Sequence, residues 1–363
     1  MKKTCSVLTF LLTSFLLIAQ NPDSWYRVYK GKAGNLVTIM HLHKAGKNYS
    51  GYVWFEQNQT PMQIYAGYPV PESDSITISS STSTISFLLT GVFSATGFKG
   101  NSQLEKDGVP VKRASFDLQI NNEKAYSAFA YFFSEGKDSL PAQYKNFSKI
   151  DYFSSAVWPT GSTLSDEALK KFIRQKLNIK IATIETRNWI TDEKNKLLKS
   201  WKSSNMKMSP KETAELGMSL SHWQEDKILV LHENEKFISI ASYNFLEAGG
   251  AMHGSFSTTV TTFNKTNNKQ LVLTDVLNAQ GILILPAILD QVARINFGVK
   301  NNRPLDENGF TVKKILPTKN MYVTGTGIGF MYAPYEIKSF ADGEINLLVP
   351  LTVLKPYLMP GIF

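Results

Sequence analysis

From residue 25 to about 133 apolar and polar positions alternate over short stretches, the period-two pattern of half-buried strands. Strand-like runs at 37–43, 52–55, 75–79, 85–89 and 114–118 are separated by the turn segments Ala45-Gly46-Lys47-Asn48, Pro71-Glu72-Ser73-Asp74 and Lys106-Asp107-Gly108. A meander of this length protects its edges by closing or packing, so a small antiparallel barrel or strongly curved sheet is expected over 20–140. Glycine followed by an aromatic or apolar residue recurs as Gly51-Tyr52, Gly67-Tyr68, Gly91-Val92-Phe93 and Gly97-Phe98. Such glycines permit the sharp coiling of a closing sheet while the aromatics fill its interior.

The texture changes between 141 and 159, a Pro-flanked segment read as the domain boundary. Leu169, Phe172, Ile173 and Leu177 then fall on one face of a helix starting near Thr163 or Ser165. Ser209-Pro210-Lys211-Glu212 is a capping box with proline at the first helical position. Strands follow at 228–231, 237–245 and 256–263. Leu273-Thr274-Asp275-Val276-Leu277 opens a helical stretch with Ile288, Leu289, Val292, Ala293 and Ile295 on one side, and 322–358 returns to strands. Helices mixed with antiparallel strands predict an α+β domain over 149–363.

The start of the chain reads differently. Lys2-Lys3, an apolar run over 7–18 and Ala19 before Gln20 form a secretory signal peptide over 1–19, so a periplasmic or secreted protein is expected. Cys5 is the one cysteine and falls inside that segment. The 363 residues less nineteen leave a mature chain of 344 without disulfides, thiolate chemistry or cysteine-ligated metal. No later run is long enough for a transmembrane anchor. The formal charge of +9 becomes +7 without Lys2 and Lys3, a balance that favours anionic surfaces. The scattered lysines carry no nucleic-acid motif, and no nucleic-acid partner is expected.

Two segments are the most specific: Gly249-Gly250-Ala251-Met252-His253-Gly254 after a strand ending in Tyr243-Asn244-Phe245, and Gly329-Phe330-Met331-Tyr332-Ala333-Pro334-Tyr335-Glu336-Ile337 with Ala341-Asp342-Gly343 behind it. With the Lys269–Leu277 segment between them, they resemble the RsiV-like extracytoplasmic domain. Met252, between Ala251 and His253, departs from the family pattern. Members of that family are sensor regions of anti-sigma factors that bind lysozyme and N-terminal regions of peptidoglycan deacetylases. The resemblance implies an envelope module over the C-terminal part. The N-terminal half is similar, more loosely, to lipocalin-like barrels.

Catalytic chemistry is hard to find in the sequence. Gly249 and Gly250 mark a turn or a close backbone approach. His253 has no second ligand at metal spacing, and a hydrogen-bonded histidine is its simpler reading. His41 and His43 would share one strand face with Val37 and Ile39, and two imidazoles do not make a metal site. His232-Glu233 does not extend to His-Glu-x-x-His. The acid pairs Glu225-Asp226, Glu233 with Glu235, and Asp306-Glu307 read as solvated turns. Lys194 to Lys211, with Trp189 and Trp201, reads as an exposed helix face whose tryptophans plug into the core.

Tyr332, Pro334, Tyr335 and Glu336 combine aromatic area with a proline-fixed backbone, as partner-binding surfaces do. With Gly249, Gly250, His253 and Gly254 they are the candidate binding residues. Neither a catalytic residue, a metal nor a cofactor is assigned. The expected function is a non-catalytic binding protein of the envelope that recognises a cell-wall saccharide or a lysozyme-like protein. The alternatives are a wall-modifying enzyme and a carrier of a small apolar ligand inside the barrel.

Overall fold

Eight antiparallel strands close into a barrel in the computed structural model, which describes residues 23–363 apart from 83–84, 107, 124–125, 145 and 180–185. The expected signal segment lies outside the described residues. The strands are β1 (Ser24–Ala33), β2 (Leu36–Ala45), β3 (Asn48–Phe55), β4 (Asn58–Pro69), β5 (Ile76–Ser81), β6 (Ile85–Phe93), β7 (Gly97–Lys106) and β8 (Val109–Ile120). Closure is made by β8 returning to β1, with Tyr29 opposite Ile120 and Ala33 opposite Phe116. Gly91 faces Gly100 across β6 and β7, and a Cβ on either would meet a carbonyl oxygen of the other strand at about 2 Å. Only glycine admits that approach.

Alternation sends Tyr29, Met40, Leu42, Val53, Phe87, Leu89, Phe98 and Leu118 inward, all of them buried. Phe93 and Phe98 stack at 4.1 Å, and Tyr49 stacks on Phe93 at 5.9 Å. An eight-stranded barrel has room for its own side chains or for one small ligand. Here Tyr49, Phe93 and Phe98 stack within that interior.

The second half is α+β, as its pattern implies. A six-stranded sheet contains β9 (Phe129–Ser139), β10 (Lys149–Pro159), β11 (His222–Glu233), β12 (Phe237–Ala248), β13 (Ser255–Asn264) and β14 (Lys269–Gln270), in the order β14-β13-β12-β11-β10-β9. β10 and β11 run parallel, which demands a long crossover. It is supplied by α1 (Leu164–Lys176), α2 (Thr186–Asn205) and α3 (Pro210–Leu216). Thr163 and Ser209 close reciprocal capping boxes with Asp166 and Glu212. Trp201 of α2 plugs inward, its indole donating to the Leu220 carbonyl at 2.8 Å, while Lys196 and Lys202 pair with Glu193 and Asp138. A smaller sheet of β15 (Met321–Val323), β16 (Gly327–Tyr332) and β17 (Ile345–Pro350) shares a core with α4 (Leu273–Val276) and α5 (Ala279–Phe297).

The outer face of β1–β3 packs on the large sheet. Tyr26, Ile39, Tyr52 and Trp54 join Phe129, Tyr131, Ile228 and Val230 in one buried cluster. His41 and His43 share this face, as strand alternation requires, and both are buried beneath the sheet. The barrel's last strand ends at Ile120, and β9, which the sequence texture places with the barrel, pairs with β10 from Phe129 to Ser139. A cut within 141–159 therefore strips an edge strand from the sheet. A fragment beginning at Lys149 is expected to aggregate or lose cooperative unfolding, and one beginning near Asn122 to fold better. Light scattering and circular dichroism of the two fragments check this.

Candidate ligand-binding cleft

The two signature segments meet in space. The turn between β12 and β13 carries Gly249 and Gly250, of which Gly250 has a φ of +84°, where glycine is at ease. A Cβ on Gly249 would stand 2.0 Å from the Ser219 carbonyl oxygen, and the Gly249 amide donates to Ser221 at 2.6 Å. These two glycines are turn residues packed against the chain before β11. Gly254 is buried, and a Cβ there would strike the Phe245 ring at 2.5 Å.

His253 leaves this turn exposed and lies flat on Phe340, ring centres 3.8 Å apart. Its Nδ1 is 2.9 Å from the Gly254 carbonyl, and its Nε2 is 3.5 Å from the Tyr335 hydroxyl. Phe340 also touches Tyr335 and Phe256, both at 5.5 Å. Together the four rings make an aromatic shelf. Tyr335 is 61 % exposed and holds a φ of +69°. The Ala333–Glu336 turn that presents it is tied by the Ala333 amide donating to the Glu336 carboxylate at 2.9 Å. Tyr332, proposed as a surface residue from its neighbours in sequence, is instead in the core. It lies on β16, where alternation turns it inward, and its hydroxyl donates to the Leu316 carbonyl at 2.9 Å. Pro334 is half-buried and shapes the turn.

The sequence reading missed Phe340, Phe256 and the cleft beside them. Phe256 continues from the shelf into a cavity of about 420 Å³ between the barrel and the second domain, also lined by Tyr52, Tyr65, Tyr243, Asp342 and Glu344. The alternation of β13 and the Ala341-Asp342-Gly343 string were the available signals, but the barrel wall of the cleft lies almost 200 residues away from Tyr243 in the chain. Glu344 is mostly buried, and burial raises its carboxyl pKa, opposed by hydrogen bonds from the Thr258 side chain and amide. The Thr258 hydroxyl donates to Glu344 at 2.7 Å. Asp342 accepts from the Ser339 hydroxyl at 2.6 Å and pairs with Lys338 at 3.2 Å. A larger cavity of about 780 Å³ lies between α5 and the β3–β4 turn, lined by Ile284, Ile288, Val292 and Val353 with uncharged polar neighbours. Of these two, the smaller cleft adjoins both signature segments and is lined by the carboxylates of Asp342 and Glu344.

Comparison with known proteins agrees with this architecture. A member of the DUF3298 family from Bacteroides fragilis, known from its crystal structure, is 17% identical, covers 65% of this chain and 96% of its own, and superposes with a TM-score of 0.56, a likeness of fold. A structure from Pseudomonas aeruginosa PAO1 is 13% identical over 65% of this chain and 97% of its own, with a TM-score of 0.46. No curated protein matches the chain. Residues 266–352 match the family model described as "Protein of unknown function (DUF3298)", so the C-terminal part of the chain carries a DUF3298 domain.

Proposed function

We propose that the protein is an exported, non-catalytic binding protein of the bacterial envelope whose aromatic shelf recognises a cell-wall saccharide. One observation carries this reading: Tyr335 stays largely exposed at a φ of +69° beside the His253–Phe340 stack. A left-handed backbone costs a non-glycine residue about 1–2 kcal/mol, and glycine would remove that cost. An exposed tyrosine retained there is expected to be retained for its ring. Aromatic faces beside hydroxyl, amide and carboxylate groups suit the alternating apolar and polar faces of a sugar.

The test is a pull-down of peptidoglycan fragments, with lysozyme as the competing arm. Tyr335→Gly is expected to unfold no lower than the wild type, because strain is relieved, while losing about 2 kcal/mol or more of binding. Loss of stability without loss of binding would return Tyr335 to a structural role. Preferential retention of lysozyme would replace the saccharide by a protein partner.

The alternative of a wall-modifying enzyme draws on Asp342 and Glu344, which line one cleft. Both carboxylates are already engaged, Asp342 by Lys338 and Ser339 and Glu344 by Thr258, which favours holding a ligand over transferring protons. Release of shorter products during the pull-down would favour the enzyme.

A further inference from the structure

The cleft has a charge opposite to that of the chain. The protein is formally +9, yet among the described residues lining this cavity there are two carboxylates, Asp342 and Glu344, and no lysine or arginine. Lys338 answers Asp342 from a buried position where it also covers the Phe297 and Phe310 rings at 4.8 and 4.7 Å. Among the described residues Glu344 receives a hydroxyl and an amide donor, both from Thr258. Lys227 covers Tyr243 at 5.5 Å and has its own counter-ion in Glu225 at 2.5 Å. It lines the neighbouring cavity behind Tyr243, not this one.

A second feature points to an occupant independently of the acids. Tyr52 lines the cleft from the barrel side and is 2 % exposed, and among the described residues its hydroxyl has no hydrogen-bond partner. A buried hydroxyl left without a partner costs on the order of 1–3 kcal/mol, so native structures rarely keep one idle. Tyr52 and Tyr243 both feel the Glu344 charge, which, after burial, helps to hold their hydroxyls protonated. Tyrosine rings, a partly desolvated carboxylate and a waiting hydroxyl oxygen are what an ammonium group needs. The rings supply cation–π attraction, the carboxylate a charge-assisted acceptor, and the hydroxyl a further acceptor.

We propose that this cleft receives a protonated amino group, so that the saccharide bound is one carrying free amines, such as glucosamine units, rather than their N-acetylated forms. The proposal rests on the saccharide reading of the shelf. Phe256 is shared by shelf and cleft, so a sugar lying on His253, Phe340 and Tyr335 extends its neighbouring unit towards Glu344. Acetylation removes the charge and adds bulk at the nitrogen that the carboxylate would face. General electrostatics cannot mimic the preference, because a chain of net charge +9 repels polyamines.

The experiment is calorimetric titration of the full chain with glucosamine tetramer, N-acetylglucosamine tetramer and tetramethylammonium. Wild type, Glu344→Gln and Tyr52→Phe are compared, with thermal unfolding followed in parallel. The amine tetramer is expected to bind about 10-fold more tightly than the acetylated one. Glu344→Gln should abolish the difference and Tyr52→Phe should shrink it. Tyr52→Phe removes only a hydroxyl that has no partner among the described residues, so it serves as the test if Glu344→Gln fails to fold. Equal affinity of the two tetramers for the wild type, or a preference unchanged in Tyr52→Phe, overturns the amine site and leaves the saccharide reading standing. Binding of tetramethylammonium alone supports the amine site and removes the saccharide. Failure of all three ligands overturns both.

Discussion

Acidification is expected to loosen the junction between barrel and sheet, with stability falling progressively as the pH drops below about 6.5. The junction holds His41, His43 and His232, all buried. His41 stacks on Trp54 at 4.7 Å, Trp54 meets His232 at 5.0 Å, and His43 lies 4.7 Å from Tyr26 and 5.1 Å from Tyr131. His41 Nδ1 is 2.6 Å from the Tyr26 hydroxyl, and His43 Nε2 accepts from the Val230 amide at 3.2 Å. Among the described residues neither nitrogen of His232 has a hydrogen-bond partner.

Burial lowers the pKa of His43 and of His232 to about 3, and that of His41 well below the ordinary value, with the other two imidazoles adding to the effect. The sign follows from linkage. An unfolded histidine titrates near 6.5, so below that pH the unfolded chain binds protons that the folded chain refuses, and stability is lost as pH falls towards 3. Three such groups acting together cost on the order of 4 kcal/mol per pH unit. Glu233, next to His232 in the chain, opposes this slope, because burial raises its pKa against the pull of Lys265 and Ser127. It is one group against three. Urea midpoints between pH 7.5 and 5 measure the slope, and His232→Phe should reduce it by about one proton. A wild-type stability that is flat over this range would contradict the account.

The same junction explains what could and could not be read along the chain. The barrel was legible because each strand announces itself locally, through period-two alternation and a Gly- or Asp-bearing turn. Ser209 and Glu212 likewise make a helix start wherever they occur. The shared face of His41 and His43 followed from alternation too, but its burial did not, since that depends on a sheet contributed by residues more than 80 positions away. β9 was misplaced for a related reason. Its strand texture is that of the barrel strands, and only the pairing with β10 distinguishes it. At the site, His253 and Tyr335 carried recognisable strings, whereas Phe340 and Glu344 acquired their roles when β13, β17 and the barrel wall converged. Tyr332 shows the limit of arguing from composition. Three residues before Tyr335, it obeys the strand period and points the other way.

The acids make that limit quantitative, and Glu233→Ala is expected to cost about 3–5 kcal/mol of stability. Glu233 reads in sequence as part of a solvated turn, like Asp306-Glu307. In the structure it ends β11 at 1 % exposure, while Asp306 and Glu307 are exposed as expected. Its carboxylate accepts from the Ser127 amide at 2.9 Å, the Ser127 hydroxyl at 2.5 Å and Lys265 at 2.8 Å. Ser127 belongs to the connection between barrel and sheet, and Lys265 to the turn after β13. One carboxylate therefore ties the barrel's exit segment to two strand ends. Removing it strands a serine amide and withdraws the anion facing a lysine that is mostly buried. Glu233→Gln should fall between, because an amide oxygen still accepts from Ser127 while the charge opposite Lys265 is lost. Glu307→Ala should stay within about 0.5 kcal/mol of the wild type, as surface substitutions do. Chemical denaturation of the three variants ranks them. If Glu233→Ala is no worse than Glu307→Ala, the carboxylate does not tie the domains together, and the junction rests on its aromatic face alone.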